Sequence, residues 1–112
     1  MNEVKQYSES IFESIKHIDE NGQEYWEARE LQKVLEYKEW RNFKKTIDKA
    51  MLTCINSKQN VLEHFVEVNK VLEVGNKAKM NVMDYNLSRY ACYLIVQYFY
   101  SKTYKIKFNH IN

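Results

Sequence analysis

The side chains best suited to chemistry in this chain lie on one predicted helix, between Trp40 and Cys54. Its polar side carries four bases and an amide: Arg41, Asn42, Lys44, Lys45 and Lys49. In a DNA major groove, arginine can donate paired hydrogen bonds to guanine and asparagine can pair with adenine, while lysine contacts phosphates. The set therefore predicts a nucleic-acid interface, with Lys44 its weakest member because it lies near the apolar edge. A solvated basic face without a ligand explains this stretch equally well.

Two short helices with a corner between them must position this polar side. The first presents one apolar face, made of Leu31, Val34 and Leu35 at helical spacing. The second begins after the corner, and its apolar stripe consists of Trp40, Phe43, Ile47, Met51 and Cys54. An apolar inner side and a basic outer side on the second of two helices is the pattern of a helix-turn-helix reader. A helical hairpin of any other function has the same pattern.

A β-hairpin is predicted before the helical pair and a second one after it. The first turns at Asn21 and Gly22, a sequence typical of the type I′ turn, which needs positive φ at both central residues. The second joins residues 61–74, read mostly as strand, to a return strand over residues 79–85. It would form a wing beside the helices, with Lys77 and Lys79 as candidate phosphate contacts.

Helices are also predicted at the two ends of the chain. An amphipathic helix runs from Val4 to Ile15, and a C-terminal helix capped by Asp84 or Asn86 packs its apolar face inward. The last residues, 101–112, are predicted to form a late edge strand or a loose tail. The fold class is therefore α+β: a helix-turn-helix-like hairpin with small β-hairpins and a C-terminal packing helix.

The composition indicates one domain without catalytic machinery. The chain has 112 residues, a formal net charge of +2, two glycines and no proline. Its histidines are scattered and no glycine-rich phosphate loop is available, so we predict no enzyme, no metal and no cofactor. Cys54 and Cys92 fit a core in a reducing compartment. No signal peptide or membrane span is expected, which favours a cytoplasmic location without a membrane partner.

Five segments carry a family resemblance. They cover residues 12–22, 25–37, 40–43, 64–70 and 84–97, the last beginning Asp84-Tyr-Asn-Leu-Ser-Arg-Tyr-Ala. They closely resemble the N-terminal region of the bacterial DNA-damage-inducible protein D family. That region is similar to the BRO-N domain of viral and phage proteins, including many phage antirepressors. The resemblance implies an α+β domain associated with DNA binding and, for the damage-inducible proteins, modulation of RecA recombinase on single-stranded DNA.

The chain departs from this family in two places. Where the family tends to carry Gly-x-Gly-Ala in the second hairpin, this chain has Gly75-Asn-Lys-Ala78, without the second glycine. Beyond Gln97 the resemblance ends. We therefore divide the chain into a family-like domain, residues 1–97, and a divergent basic and aromatic segment, residues 98–112.

Two functions of different classes follow as hypotheses. The first is a non-catalytic DNA-binding regulatory module of bacterial or phage origin, for single- or double-stranded DNA. The second is a phage or mobile-element inhibitor of a host protein, such as a repressor, a recombinase or a defence nuclease of the CRISPR effector kind. Its contacts would be acids near the helical pair and aromatics of the last segment: Glu24, Glu27, Glu30, Tyr100 and Phe108. An uncovered aromatic patch would also suit a homodimer.

Overall fold

The computed structural model describes residues 9–111, with side chains described from Glu9 to Lys102. The described chain is an α+β domain in which helices pack on one face of an antiparallel sheet. Its elements are α1 (9–14), β1 (His17–Ile18), β2 (Glu24–Glu27), α2 (Ala28–Val34), α3 (Trp40–Asn56), α4 (Val61–His64), β3 (Phe65–Val74), β4 (Ala78–Leu87) and α5 (Arg89–Ile111). The predicted N-terminal helix is confirmed for residues 9–14, and its beginning lies outside the described residues.

The sheet has the strand order β1-β2-β4-β3, and each neighbouring pair is antiparallel. β2 pairs with β4 at two positions, whereas β3 and β4 pair along all ten residues of each strand. Cross-strand partners point to the same face. Phe65, Tyr85 and Leu87 share the face that packs on the helices, and all three are buried. The even-numbered residues of β3 and β4 lie on the other side, here called the open face; Asp84 on this face is fully buried beside α2, and its other residues are exposed or half-buried.

The core forms between the covered sheet face and the helices. Its buried members are Trp26, Ala28, Leu31, Phe43, Ile47, Ala50, Cys54, Phe65, Tyr85, Leu87, Ala91, Cys92 and Ile95. The predicted apolar stripe of α3 is confirmed, because three members are fully buried and Trp40 and Met51 pack against them. Both cysteines are free thiols, and burial raises the pKa of each, so neither is an activated nucleophile.

The first hairpin is confirmed, but its turn is not type I′. Gly22 has a φ of 80°, whereas Asn21 does not have a positive φ. The Asp19 carboxylate accepts hydrogen bonds from the backbone N–H of Asn21 at 2.8 Å and of Gln23 at 2.9 Å. These bonds close a longer turn with a glycine bulge, and an Asn-Gly pair does not distinguish the two solutions.

Helices α2 and α3 both end without glycine. Glu36 and Lys58 follow them in the left-handed region, with φ values of 63° and 62°. After α2, the backbone N–H of Tyr37 donates to the carbonyl of Gln32 at 3.1 Å, which is the Schellman pattern. A side chain in this conformation costs about 1 kcal/mol relative to glycine. The predicted corner is therefore real, and its reversal begins at Glu36.

The second hairpin is confirmed, but the first residues assigned to it are helical. Val61–His64 forms α4. The side chain of Asn60 accepts a hydrogen bond from the backbone N–H of Leu62 at 3.0 Å and caps this turn. Apolar periodicity over residues 61–74 fitted both helix and strand, and the cap at Asn60 fixes where the helical turn begins.

The start of the C-terminal helix differs from the prediction. Asp84 and Asn86 do not cap it, because both lie within β4. Ser88 caps α5 instead: its hydroxyl accepts a hydrogen bond from the backbone N–H of Ala91 at 3.0 Å.

The end of that helix also differs. The edge strand or loose tail expected from residue 101 is wrong as far as Ile111, because α5 continues to that residue. After Gly75 the sequence contains neither glycine nor proline, so no local breaker ends the helix. The boundary placed after Gln97 falls inside α5.

Candidate nucleic-acid interface

The outward side of α3 carries most of the predicted DNA contacts. Arg41, Asn42, Lys45 and Lys49 are all exposed, and this set is called the α3 basic face. Arg41 and Asn42 lie in the first turn, while Lys45 and Lys49 follow one turn apart. With 17 residues, α3 is about 25 Å long, which is long enough to lie along a duplex groove. Among the side chains of residues 9–102, no ion pair involves Arg41, Lys45 or Lys49.

Lys44 differs from its neighbours on α3. Its ammonium lies 2.6 Å from the Asp48 carboxylate and 5.8 Å from the centre of the Tyr85 ring. The hydrogen bond to Asp48 raises the pKa of Lys44. The side chain is half-buried at the edge of the core, so its charge is already satisfied within the domain.

Contacts with α2 and β4 hold the beginning of α3. The guanidinium of Arg29 lies 4.2 Å from the centre of the Trp40 ring, and its Nε donates to the carbonyl of Met83 at 2.8 Å. The hydroxyl groups of Tyr37 and Thr46 are hydrogen-bonded at 2.9 Å. The α3 basic face therefore begins at a point fixed by α2, β4 and the corner at Tyr37.

The outer half of the β3–β4 hairpin is exposed on both faces and forms an arm, residues 71–81. Lys77 and Lys79, the remaining predicted DNA contacts, are exposed at its tip. Asn76 and Lys77 have φ values of 60° and 63°, so the turn has the positive angles of type I′ without a glycine at either central position. Lys77 lies six positions from the anchored Met83, which places the tip about 20 Å away.

A buried ion cluster joins the base of the arm to α2. Asp84 is fully buried, and its Oδ1 accepts hydrogen bonds from the backbone N–H of Arg29 at 3.0 Å and of Tyr85 at 2.8 Å. Its Oδ2 lies 2.5 Å from the ammonium of Lys70, which also contacts Glu27 at 2.7 Å. Burial opposes the charge on Lys70, but the hydrogen bonds to both carboxylates outweigh it and raise the pKa. Asp84 thus caps a helix, but α2 rather than α5.

The acids predicted as partner contacts each have a partner inside the domain. They pair as Glu24 with Arg89, Glu27 with Lys70, and Glu30 with His17. Hydrogen bonds from Arg89, at 2.8 and 2.9 Å, lower the pKa of Glu24. Of the two predicted aromatics, Tyr100 is exposed, and the side chain of Phe108 lies outside the described residues.

His17, Glu27 and Glu30 place nitrogen and oxygen atoms within 4.8 Å of one another. Such a set has the composition of a divalent-cation site. Here the Nε2 of His17 lies 2.5 Å from Glu30, and the ammonium of Lys70 forms an ion pair with Glu27. The cluster is therefore satisfied by protein groups.

The sequence profile of the BRO family, N-terminal domain, matches residues 14–111. The chain belongs to the BRO family N-terminal domains. This BRO domain is also similar to DNA damage-inducible protein D of Escherichia coli (strain K12), with 45% identity over 86 residues. That alignment covers 77% of this chain and 31% of the relative, so the chain spans about a third of the relative's length. No solved structure matches it.

Apart from Lys44, the predicted contacts of the BRO domain lie in two groups, the α3 basic face and the tip of the arm. Arg29 and Lys70, which help to connect these groups, were not recognised from the sequence, and Asp84 was predicted to cap the C-terminal helix. A lone aspartate among apolar strand residues was the available signal for a buried carboxylate. None of the helices within residues 9–111 is long and apolar enough to cross a membrane.

Proposed function

We propose that this BRO domain is a non-catalytic DNA-binding regulatory module and that it contacts DNA through α3. The observation that carries the proposal is the α3 basic face, with three cations free of ion pairs among the described side chains. The opposite side of the same helix is buried, so these side chains have no role in the core. The similar protein of Escherichia coli is named for induction by DNA damage, which supports a regulatory role connected with DNA.

In this proposal α2 and α3 act as a helix-turn-helix pair. Readers of this type place the first residues of the second helix against base edges. Arg41 and Asn42 occupy that position, and each has the donors for a paired contact with guanine or adenine, respectively. Lys45 and Lys49 neutralise phosphates along the groove. Lys77 and Lys79 on the arm reach phosphates farther along the duplex.

The absence of catalysis is also a proposal. The most enzyme-like pair is His64 and Ser88, whose Nδ1 and Oγ atoms lie 2.6 Å apart, the distance of a base and its nucleophile. The Ser88 oxygen, however, already accepts the capping hydrogen bond from Ala91. The His64 ring packs edge-on against Tyr90, 4.8 Å between centres. We assign this pair to the junction between β4 and α5.

Fluorescence anisotropy with labelled single- and double-stranded DNA, over a series of salt concentrations, tests the DNA-binding proposal. We expect affinity that falls steeply with salt, because bound phosphates release counterions. Arg41→Glu with Lys45→Glu should abolish binding without unfolding the domain. The matched control is Lys58→Glu with Lys102→Glu, which changes the net charge equally at two exposed positions outside the face.

Two outcomes would contradict the proposal. One is a control variant that loses affinity as much as the α3 variant, which would mean that only the net charge matters. The other is no binding to either form of DNA at low salt. The second outcome would favour the alternative hypothesis of a host-protein inhibitor. The form of DNA preferred by the wild-type chain distinguishes a duplex reader from a protein that acts on single strands.

A further inference from the structure

The open face of the β3–β4 hairpin is apolar where solvent-facing residues are ordinarily polar. In an antiparallel sheet with one covered face, polar residues usually occupy the other. Here the open face carries Val66, Val68, Leu72, Val74, Met80 and Val82, a set called the open strip. Leu72 is 38% exposed, Val74 42% and Met80 50%. The strip runs about 26 Å along β3.

The charged residues of the open face, Lys70 and Asp84, do not make the strip polar. Lys70 lies between Val68 and Leu72, and its ammonium is bonded to both Asp84 and Glu27. Its charge is therefore balanced by two carboxylates inside the domain. A contiguous apolar surface of this kind marks an interaction site.

The charges at the two ends of the strip are of opposite sign. At the tip, the exposed Lys77 and Lys79 outnumber Glu73, which is the cross-strand partner of Lys79. At the base, the strip leads into a shallow pocket of about 370 Å³ lined by Val66 together with Asp19 and Glu63. Nucleic acid is disfavoured as the occupant of the base, because carboxylates there repel phosphates.

We propose that the open face binds a second copy of this chain, with the two hairpins packed face to face and pointing in opposite directions. A two-fold axis through the middle of the hairpin places the tip of each copy over the base of the other. The strips then cover one another, and Lys77 of each copy meets Glu63 of its partner, so that of the two arm lysines Lys79 remains for phosphates in the dimer. A two-fold contact requires such self-complementarity, and opposite charges at the ends of one apolar strip provide it.

The area of the strip limits the affinity of this dimer. An area of about 26 by 10 Å on each copy, or about 520 Å² for the pair, is below the size of stable specific interfaces, so the contact is weak and transient. The dimer therefore forms in the micromolar range or above rather than at nanomolar concentration. Because α3 packs on the covered face, both α3 basic faces remain outside the contact.

Sedimentation equilibrium of the full chain, from micromolar to millimolar concentration, measures the association. The wild-type chain should pass from monomer to dimer with increasing concentration. Leu72→Glu and Met80→Glu should each remain monomeric throughout, with unchanged thermal unfolding because both side chains are exposed. The matched control is Val71→Glu, on the same arm but facing the other way and 60% exposed, and it should dimerise like the wild type.

A charge exchange tests the direction of packing. Lys77→Glu and Glu63→Lys should each raise the dimer dissociation constant by about tenfold, since two symmetric contacts change at once. Combining them should restore the wild-type value. A wild-type chain that stays monomeric at millimolar concentration would overturn the proposal. So would equal loss of dimer in the Val71 and Leu72 variants, and a double variant weaker than either single one would overturn the tip-to-base arrangement.

Discussion

The α3 basic face and the open strip are two exposed surfaces built on opposite rules. On α3, the stripe of Phe43, Ile47 and Cys54 is buried and the basic residues face outward, while Leu52 and Ile55 near the end of the helix are exposed. On the β3–β4 hairpin, buried residues face the helices, but valine, leucine and methionine side chains also occupy the exposed side. The α3 basic face can bind a negatively charged ligand, whereas the open strip exposes apolar area that a partner would cover.

This difference teaches that exposure alone does not identify a site. An exposed lysine is ordinary, and the α3 basic face is informative only because its cations have no internal carboxylate partners within residues 9–102. An exposed valine is also ordinary. The open strip is informative because its members are aligned on one face and end in charges of opposite sign.

The largest effect on stability is expected at Asp84, which links the β3–β4 hairpin to α2. Asp84→Asn leaves Lys70 with Glu27 alone, so we expect a loss of about 3 kcal/mol in the free energy of unfolding, the low end for a broken buried ion pair. Urea unfolding measures it. Adding Lys70→Met should recover part of the loss, because the two residues are coupled. Strictly additive losses would show that the ion pair is not the cause.

The next contrast lies within α3, between two adjacent lysines. Lys45→Ala should lower DNA affinity and reduce the slope of log affinity against log salt by about 0.9, the value for one phosphate contact. Lys44→Ala should leave that slope unchanged, because Lys44 is paired with Asp48. Equal slopes for the two variants would mean that ion pairing within the domain does not select the DNA contacts.

Acid should weaken the base of the open strip. Since Arg89 lowers the pKa of Glu24 below its ordinary value of 4.5, their pair contributes its full stability above about pH 4.5. That contribution is lost as the pH falls through the lowered pKa. Glu24→Gln should therefore be less stable than the wild type at neutral pH, and the difference should shrink in acid. Glu20→Gln, at an exposed position, is the control in the same urea titrations.

The smallest effect is expected at the tip of the arm. Lys77 has a φ of 63°, and Lys77→Gly should increase the free energy of unfolding by about 0.5 to 1 kcal/mol by removing that strain. Asn76→Gly should gain less, since asparagine tolerates the same conformation. Differential scanning calorimetry distinguishes the two. A destabilised Lys77→Gly variant would indicate that the lysine side chain contributes a stabilising contact of its own.

Much of the fold followed from local patterns. The stripe of Trp40, Phe43 and Ile47 predicted both the second helix and its buried side, because apolar residues at helical spacing lie on one side of a helix. The two hairpins followed from turn residues. The position of the last helix did not, since Asp84 resembles an N-cap in sequence and only strand pairing with Val68 places it inside β4.

The candidate site divides in the same way. Arg41, Lys45 and Lys49 were recognised from the sequence because helix geometry alone places them outside the stripe. The ion-pair partner of Lys44 could be predicted from the local sequence, whereas the partner of Glu24 could not. Asp48 lies one turn from Lys44, while Arg89 reaches Glu24 across 65 positions.

By itself the sequence determined which residues form the helical pair, where the hairpins turn and which side of α3 is basic, because each depends on neighbours within a few positions. Only the tertiary structure decided that Asp84 caps α2 through Arg29, 55 positions away, and that Lys70 neutralises it. It also decided which face of the β3–β4 hairpin the helices cover. Packing between distant segments sets these features, and no local pattern encodes which surface another segment will reach.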